Sequence, residues 1–252
     1  MLPTYQTAAL KNPRRLFIFS HTKVGKTSLL AALPNNLIID TEDGSEFVSG
    51  IKFNLKKEAA LAGKGRFTIL KELTDEIKST KQFYDYISID TATGMEELAR
   101  ALAVYIYKKS VTGKNFIGED VVSELPNGAG YEYLRTAFKQ IYSLFDGCFT
   151  KGLIITGHIK LTSVSKQGKE IQAKDIQLTG KLKTLICQDA DAIGYMAREK
   201  GGKKNTLSFK SDENDIVSGA RPEHLKNQEL VISEIDASGK FLTHWDKIFL
   251  PQ

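Results

Sequence analysis

The tripeptide Gly25-Lys26-Thr27 interrupts an apolar stretch near the start of the chain. The apolar residues 16–19 before it predict a buried strand, and residues 26–33 predict a helix. A strand, a tight loop and a helix N-terminus together direct backbone N–H groups at phosphate oxygens. In such a loop the lysine neutralises the β- and γ-phosphates of a nucleotide, and the threonine hydroxyl is a ligand of Mg²⁺. The spacing therefore predicts a nucleotide-binding loop at residues 20–27, the phosphate loop.

One position of this loop departs from the usual pattern G-x-x-x-x-G-K-[ST], because Ser20 stands where the first glycine is expected. Ser20 lies at the loop entry, where a small residue suffices, so the departure weakens the pattern without removing it. The alternative is a glycine-lysine helix start that binds no ligand. The residues predicted to contact the nucleotide are Ser20, Thr22, Lys23, Val24, Gly25, Lys26, Thr27 and Ser28.

A second apolar segment, residues 86–89, predicts a strand that ends in Asp90. An apolar run followed by an aspartate is typical of the strand whose carboxylate holds the Mg²⁺ shell in nucleotide hydrolases. Asp90 would then share the metal with Thr27. The alternative is that Asp90 caps the helix that follows, since aspartate and threonine are both good helix caps.

A third predicted strand, residues 36–39, runs into Thr-Glu-Asp-Gly and places Asp40, Glu42 and Asp43 after a buried strand. In open α/β folds, ligands bind outside the carboxyl ends of the strands. A carboxylate there can orient or deprotonate the attacking water. Glu42 is the preferred candidate, and Asp43 or Glu46 is the alternative.

A fourth predicted strand, residues 153–156, ends in Gly-His-Ile-Lys and places His158 at its tip. A polar side chain at this point can sense the γ-phosphate and pass the difference to the segment that follows. The alternative is an ordinary structural histidine.

Helices are predicted between these strands at residues 72–79, 94–108 and 131–145, so strands and helices alternate along the chain. Alternation of this kind indicates an α/β fold with a mostly parallel central sheet and helices on both faces. After residue 200 the pattern becomes period-two with turn residues, which predicts a small antiparallel addition. We therefore expect an N-terminal arm at 1–13, a core at 14–200 and a β-rich edge of the same domain at 201–252.

The composition is ordinary for a globular protein, with 41% hydrophobic and 26% charged residues among 252. No apolar run approaches the roughly 20 residues of a membrane span, and the first 15 residues lack a secretory signal. Two cysteines without metal-ligand spacing suit a reducing compartment. These features predict a cytoplasmic protein without a membrane partner.

The chain carries 35 basic and 30 acidic side chains, a modest excess that permits a polyanionic partner. Many of the lysines fall in two segments that read as loops, residues 107–116 and 160–175. The alternative for both segments is that their lysines are simply solvated.

Together, the motifs S-x₄-G-K-T, D-T-E-D-G, I-D-T and T-G-H-I-K resemble the RecA-like ATPase superfamily. More narrowly, the chain resembles the phage-encoded P-loop ATPases that include single-strand-annealing recombination proteins. The narrower match is carried by HTKVGKT, LIIDTEDG, GAGYEYLRTAFKQIYSLF before GLIITGHIK, and GARPEHL. The resemblance covers about residues 14–226. It implies a RecA-like core, ATP with Mg²⁺, Glu42 as catalytic base and His158, where RecA has glutamine, as the γ-phosphate sensor.

The resemblance also implies partners. In RecA-like recombinases, single-stranded DNA lies along the loops after the third and fourth core strands, which here are the two lysine segments. The candidate DNA-binding residues are Lys108, Lys109, Lys114, Lys166, Lys169 and Lys174. Such ATPases assemble as rings or filaments in which a neighbour supplies a basic residue, and Lys181, Lys183 and Arg221 are the candidates. A phage single-strand-binding protein is a further expected partner, and the host cytoplasm is the expected location.

The function expected from the sequence is therefore Mg²⁺-dependent ATP hydrolysis in phage-type DNA recombination or replication, with single-stranded DNA binding and annealing or strand pairing. Two alternatives remain open at this point. One is an ATPase of the same fold that acts on a protein partner without contacting DNA. The other is a nucleotide-binding regulatory module with little hydrolysis.

Overall fold

The computed structural model of the chain describes residues 10–166, 169–211 and 217–251. The strands are β1 (Arg15–Ser20), β2 (Asn36–Asp40), β3 (Ile51–Asn54), β4 (Tyr84–Asp90), β5 (Phe149–Lys166), β6 (Lys169–Ile176), β7 (Ala192–Arg198), β8 (Lys204–Ser208), β9 (Gly219–Ala220), β10 (Glu229–Ile235) and β11 (Phe241–Thr243). The helices are α1 (Lys26–Ala31), α2 (Leu55–Ala62), α3 (Arg66–Thr80), α4 (Ala92–Lys109), α5 (Ala129–Ser143) and α6 (Leu182–Asp189). Short 3₁₀ turns lie at Val122–Glu124, Pro126–Gly128, Glu223–Leu225 and Trp245–Lys247.

The strands form one sheet in the order β11-β10-β8-β7-β1-β5-β4-β2-β3, with β6 paired to β5 and β9 paired to β7. The neighbours from β7 to β3 run parallel, whereas β8, β10 and β11 are antiparallel. This confirms the predicted α/β class, the mostly parallel sheet and the antiparallel C-terminal addition. None of the helices in the described ranges combines the length and the apolar content needed to cross a bilayer.

Both faces of the parallel sheet are covered, which explains why its strands are continuously apolar. In β1, Phe17 and Phe19 pack into a cluster with α3, α4, α5 and α6 on one face. Leu16 and Ile18 pack on the opposite face with α1 and the C-terminal segment. The alternation follows from the period of two in a strand. The predicted arrangement of helices on both faces is therefore confirmed.

The C-terminal segment fixes the position of α1. Trp245 is buried, and its indole N–H donates to the carbonyl oxygen of Leu29 in α1 at 3.0 Å. Because α1 has only six residues, its position depends on tertiary packing rather than on its own helical propensity. Residues near the end of the chain thus support the helix that follows the phosphate loop.

Some elements differ from the expectation. The helix predicted at residues 72–79 is the C-terminal half of α3, which begins at Arg66. The strand β3 was not predicted, because its four residues are partly exposed and carry no buried apolar run. The helices α2 and α6 were also missed, since each has only eight residues and mixed polarity.

The prediction of a loop at residues 160–175 is wrong, because this segment is the β-hairpin formed by β5 and β6. Residues 159–166 of β5 pair antiparallel with β6, and Lys166 lies opposite Lys169. Threonine, valine and isoleucine favour strands here, on both sides of a Gln-Gly turn signal. Residues 167 and 168 and the side chains of residues 164–171, which include those of Lys166 and Lys169, lie outside the described part of the structure.

Candidate functional site

The sheet order brings the predicted strand ends to one edge. Because β1, β5, β4 and β2 are parallel neighbours, their carboxyl ends lie side by side. Ser20 lies opposite His158, and Asp40 lies opposite Asp90 in the strand register. A cleft of about 430 Å³ opens at this edge, within the size range of small-molecule sites. The four segments singled out in the sequence therefore converge on one cleft.

The phosphate loop lines one wall of the cleft through Lys23, Gly25, Lys26, Thr27 and Ser28. The backbone of Gly25 has φ +103°, in the left-handed region that favours glycine, and α1 begins at the next residue. Of the other predicted contacts, Ser20 and Val24 are buried, and Thr22 is exposed and does not line the cleft.

Lys26 is almost fully buried, with 7% of its surface exposed. Its ammonium group donates to the Oγ of Ser20 and to the carbonyl oxygen of His21, each at 3.0 Å. Burial lowers the pKa of Lys26, and the carboxylates of Asp90 and Glu42 partly oppose that effect. The site therefore holds a buried cation beside two acids.

Ser20 has a contact that a glycine could not make. Its hydroxyl accepts a hydrogen bond from Lys26 and donates one to the carbonyl oxygen of His21 at 2.8 Å. The departure from the usual loop pattern therefore adds a polar partner for the loop lysine. The sequence alone indicated only that a small residue fits at this point.

Thr27 and Asp90 face each other across the cleft. The Oγ1 of Thr27 donates to Oδ2 of Asp90 at 2.6 Å, and Thr156 donates to Oδ1 at 2.5 Å. Hydroxyl and carboxylate oxygens are the ligands that Mg²⁺ takes beside substrate phosphates, so this pair fits a magnesium site. The cap of α4 is Thr91, which accepts from the backbone N–H of Thr93. The capping role considered for Asp90 therefore belongs to its neighbour.

Glu42 is placed at the cleft by two hydrogen bonds to its carboxylate. Oε1 accepts from the hydroxyl of Thr91 at 2.6 Å, and Oε2 lies 3.2 Å from Nε2 of His158. The hydrogen bond with His158 is the main cause that lowers the pKa of Glu42, with further contributions from Thr91 and Lys26, while burial opposes them. Glu42 is therefore ionised at neutral pH, and its side chain stays 34% exposed to the cleft.

Asp40 shapes the loop that carries Glu42. Its buried carboxylate accepts from the backbone N–H groups of Glu42, Gly44 and Ser45 at 2.9–3.3 Å, and from the Ser45 hydroxyl. Asp43, an alternative base, instead pairs with Lys56 at 3.1 Å and does not line the cleft. Glu46, the other alternative, does not line it either. The geometry therefore favours Glu42 among the three.

His158 lies between Glu42 and Lys26. Its Nδ1 is 3.5 Å from Nζ of Lys26, and its Nε2 faces Glu42. Because an ammonium group can only donate, a hydrogen bond from Lys26 requires Nδ1 to be the acceptor and places a ring proton on Nε2, facing Glu42. The histidine thus connects the phosphate loop to the candidate base.

Several residues that line the cleft were not predicted from the sequence, namely Gly44, Phe47, Val48, Thr91 and Arg198. Arg198, at the end of β7, lines the cleft beside the phosphate loop, and Phe47 lies at its mouth with 97% of its surface exposed. Arg198 would have been found if residues 192–198 had been predicted as a parallel strand next to β1. The apolar run before Arg198 is a usable signal for that strand, but the partner of the strand is set by tertiary structure.

The described DNA-binding candidates lie away from this cleft. Lys108 pairs with Asp120, and the Lys109 ammonium lies 5.8 Å from the ring centroid of Tyr105. Lys114 lies in the turn after α4. Lys174, on β6, lies 4.1 Å from the ring centroid of Tyr195.

The three basic candidates for a neighbour's site differ in their contacts. Lys183 pairs with both carboxylate oxygens of the buried Asp175 at 3.0 Å. Arg221 pairs with Asp191 at 3.3 Å and donates to the Gln188 carbonyl oxygen at 2.8 Å. Lys181 is exposed.

Comparison with known proteins gives a family and a distant structural likeness. The family described as "AAA domain" matches residues 12–218. No curated protein sequence matches the chain. Among solved structures, the crystal structure of the RadB recombinase matches with a TM-score of 0.40 and 11% identity, over 90% of this chain and 90% of that chain. Since the family match covers most of the chain and includes every strand end of the cleft, the protein belongs to the AAA domain family of P-loop ATPases.

Proposed function

We propose that this protein binds ATP with Mg²⁺ and hydrolyses it in the cleft between the phosphate loop and Glu42. The observation that carries the proposal is the convergence of Lys26, Thr27, Asp90, Glu42 and His158 from four separate segments on one cleft. A structural role for any one of these residues does not require the other four to be there.

The loop residues bind the substrate. Lys26 is the cation for the β- and γ-phosphates, and the residues at the start of α1 line the same wall. Thr27 and Asp90 would hold Mg²⁺, which when bound neutralises phosphate oxygens and so stabilises the charge that develops in the transition state. Thr156 keeps Asp90 oriented through its hydrogen bond.

Glu42 acts on the attacking water. Its hydrogen bonds to Thr91 and His158 fix the direction of the carboxylate and keep it ionised, because both lower its pKa. A carboxylate with a low pKa is a weak base, so Glu42 contributes mainly by orienting the water and by accepting its proton late in the reaction. The proton then leaves to phosphate or solvent.

The hydrogen bonds to Glu42 predict a pH effect. Replacing Thr91 with Val removes a donor from the carboxylate, so the pKa of Glu42 rises toward that of an ordinary glutamate. Because hydrolysis needs the ionised form, the acid limb of the pH profile of kcat should move to higher pH. Thr91→Ser keeps the hydroxyl and should leave the limb in place. If the acid limb stays in place in the Val variant, the rate of hydrolysis does not depend on the ionisation of Glu42.

For the biological role, we propose single-stranded DNA binding in phage-type recombination or replication, with annealing or strand pairing by a ring or filament of this chain in the host cytoplasm. The support is the β5–β6 hairpin, which continues directly from the strand that carries His158. Its eight paired residues on β5 reach about 27 Å at roughly 3.4 Å per residue. Lys166, Lys169 and Lys174 lie along it and can neutralise backbone phosphates. A phage single-strand-binding protein is a further proposed partner.

The hairpin assignment predicts salt-dependent DNA binding. The double variant Lys166→Gln/Lys169→Gln should bind a labelled oligonucleotide more weakly, and its slope of log affinity against log salt should be smaller by about 1.4, at about 0.7 per lost phosphate contact. Fluorescence anisotropy with and without ATP at several salt concentrations measures both quantities. The matched control, Lys64→Gln/Lys71→Gln, removes the same charge from exposed ion pairs on another part of the surface. Equal behaviour of the two double variants would rule out the hairpin as the DNA site.

One observation favours a protein partner as the second candidate. The segment between α4 and α5 exposes Val111 and Ile117, with 85% and 99% of their surfaces accessible, while Lys108 in the same region is paired. Exposed apolar residues of this kind are more typical of a protein contact than of a phosphate track. If the wild-type protein shows no salt-dependent DNA binding, an ATPase acting on a protein partner becomes the better account.

A further inference from the structure

We propose that Arg198 is a second phosphate-binding cation of the nucleotide cleft, supplied by the same chain as the phosphate loop. The proposal rests on the proposed nucleotide-binding function and adds a residue to it. Arg198 ends β7, which pairs parallel with β1 such that Met196 lies opposite Ser20. Two residues further on, Arg198 lies beside the loop and lines the cleft.

The guanidinium of Arg198 is anchored from two sides. Its Nη2 donates to the carbonyl oxygen of Val24 in the phosphate loop at 3.0 Å. Its Nε lies 3.4 Å from Oδ1 of Asn205 on β8, and the amide of Asn205 donates to the hydroxyl of Ser233 on β10 at 2.9 Å. Asn205 and Ser233 are buried. The antiparallel strands thus hold the head group of an otherwise exposed arginine in a fixed place.

The guanidinium of Arg198 is a cation with more hydrogen-bond donors than its two anchors use. A guanidinium is always protonated and has five N–H donors, of which the two anchors use two. Within the described ranges, no acidic side chain forms an ion pair with it. The acids that line the cleft are engaged elsewhere, Asp40 with Ser45, Asp90 with Thr27 and Glu42 with Thr91. A fixed cation with free donors at the wall of a phosphate site is suited to bind a phosphate oxyanion.

The position of Arg198 predicts which property it controls. In the sheet, β7 lies on one side of β1, whereas β5, with His158, lies on the other. Arg198 is therefore separated from the Glu42–His158 pair by the phosphate loop. It should strengthen the binding of ATP and ADP alike and contribute little to the chemical step, which is the signature of uniform binding.

The test measures the affinity of a fluorescent ADP analogue and its displacement by inorganic pyrophosphate. Arg198→Gln should weaken both ligands by about tenfold, as expected for loss of a charged hydrogen bond, while kcat at saturating ATP changes less than about threefold. Arg198→Lys should recover part of the affinity and the wild-type salt dependence of binding, because it keeps the charge. Lys204→Gln, which removes a cation from the neighbouring β8 outside the cleft, should bind as the wild type does.

Two outcomes would overturn the inference. If Arg198→Lys and Arg198→Gln lose affinity equally, and both keep the wild-type salt dependence of binding, then Arg198 only supports the phosphate loop through Val24. If Arg198→Gln binds pyrophosphate as wild type does, the residue does not touch phosphate. Lys26→Ala is measured in the same assay, because its loss of binding shows that the cleft binds nucleotide whatever the result for Arg198. Loss of binding in Lys26→Ala with none in Arg198→Gln removes only Arg198 from the site.

Discussion

Replacing Glu42 with Gln should slow ATP hydrolysis by at least about 100-fold while the affinity for ATP stays within about threefold of wild type. Glutamine keeps the size of the side chain and can still accept a hydrogen bond from Thr91. It cannot take a proton from water, and its neutral amide no longer stabilises a developing positive charge. The loss should therefore appear in kcat and leave nucleotide binding intact.

The matched control for this prediction is Asp43→Asn. Asp43 is one residue away on the same loop and pairs with Lys56 outside the cleft, so its loss should leave kcat nearly unchanged. Steady-state hydrolysis and equilibrium ATP binding, measured on both variants, separate chemistry from affinity. Wild-type turnover in Glu42→Gln, or an equal loss in Asp43→Asn, would remove Glu42 from the proposed mechanism.

Replacing Lys26 with Ala should abolish measurable nucleotide binding, with a loss of at least about 100-fold in affinity, or about 2.7 kcal/mol. The lysine is the buried cation of the phosphate loop, and its ammonium lies within hydrogen-bond distance of Ser20 and His21. Removing it leaves Asp90 and Glu42 as uncompensated negative charges facing the phosphates. Isothermal titration with ATP and ADP measures the loss, and Lys26→Met, which keeps the apolar stem, should show it too.

Lys26→Met, which keeps the apolar stem, should not be less stable than wild type. Burial lowers the pKa of the Lys26 amine in the folded state, so holding the charge there costs more free energy than in the unfolded chain. This free-energy cost disappears only as the pH rises above the pKa that Lys26 has in the unfolded chain. If the thermal midpoint of the variant falls well below that of wild type, Lys26 is instead a residue that stabilises the fold.

The site was predictable from sequence to the extent that its residues follow local patterns. Asp90, Glu42 and His158 each come within a few residues of the end of a short apolar run, and parallel strands place such residues at one sheet edge. The sequence left two questions open, whether Asp90 caps a helix and which acid faces the cleft. Both answers depend on the direction of side chains in loops. The contacts of Thr91 and Asp43 show this direction, whereas the periodicity of the sequence carries no information about it.

Other features depend on contacts between residues far apart in the chain. The link between Trp245 and Leu29 spans 216 residues, and the one between Arg198 and Val24 spans 174. Neither has a local signal, since each requires knowledge of which strand lies beside β1. The hairpin at residues 159–176 was missed for another reason, because residues 160–175 were predicted to be a loop although their β-branched residues favour strands.

A single-turnover experiment shows whether the cleft hydrolyses ATP and whether Glu42 is needed for that step. Excess wild-type protein or Glu42→Gln is mixed with a trace of radiolabelled ATP and Mg²⁺, and both bound nucleotide and released phosphate are followed over time. The proposed mechanism predicts that both proteins bind ATP, and that only the wild type converts it to ADP and phosphate at an appreciable rate. Hydrolysis at the same rate in both proteins, or no ATP binding by the wild type, would contradict it.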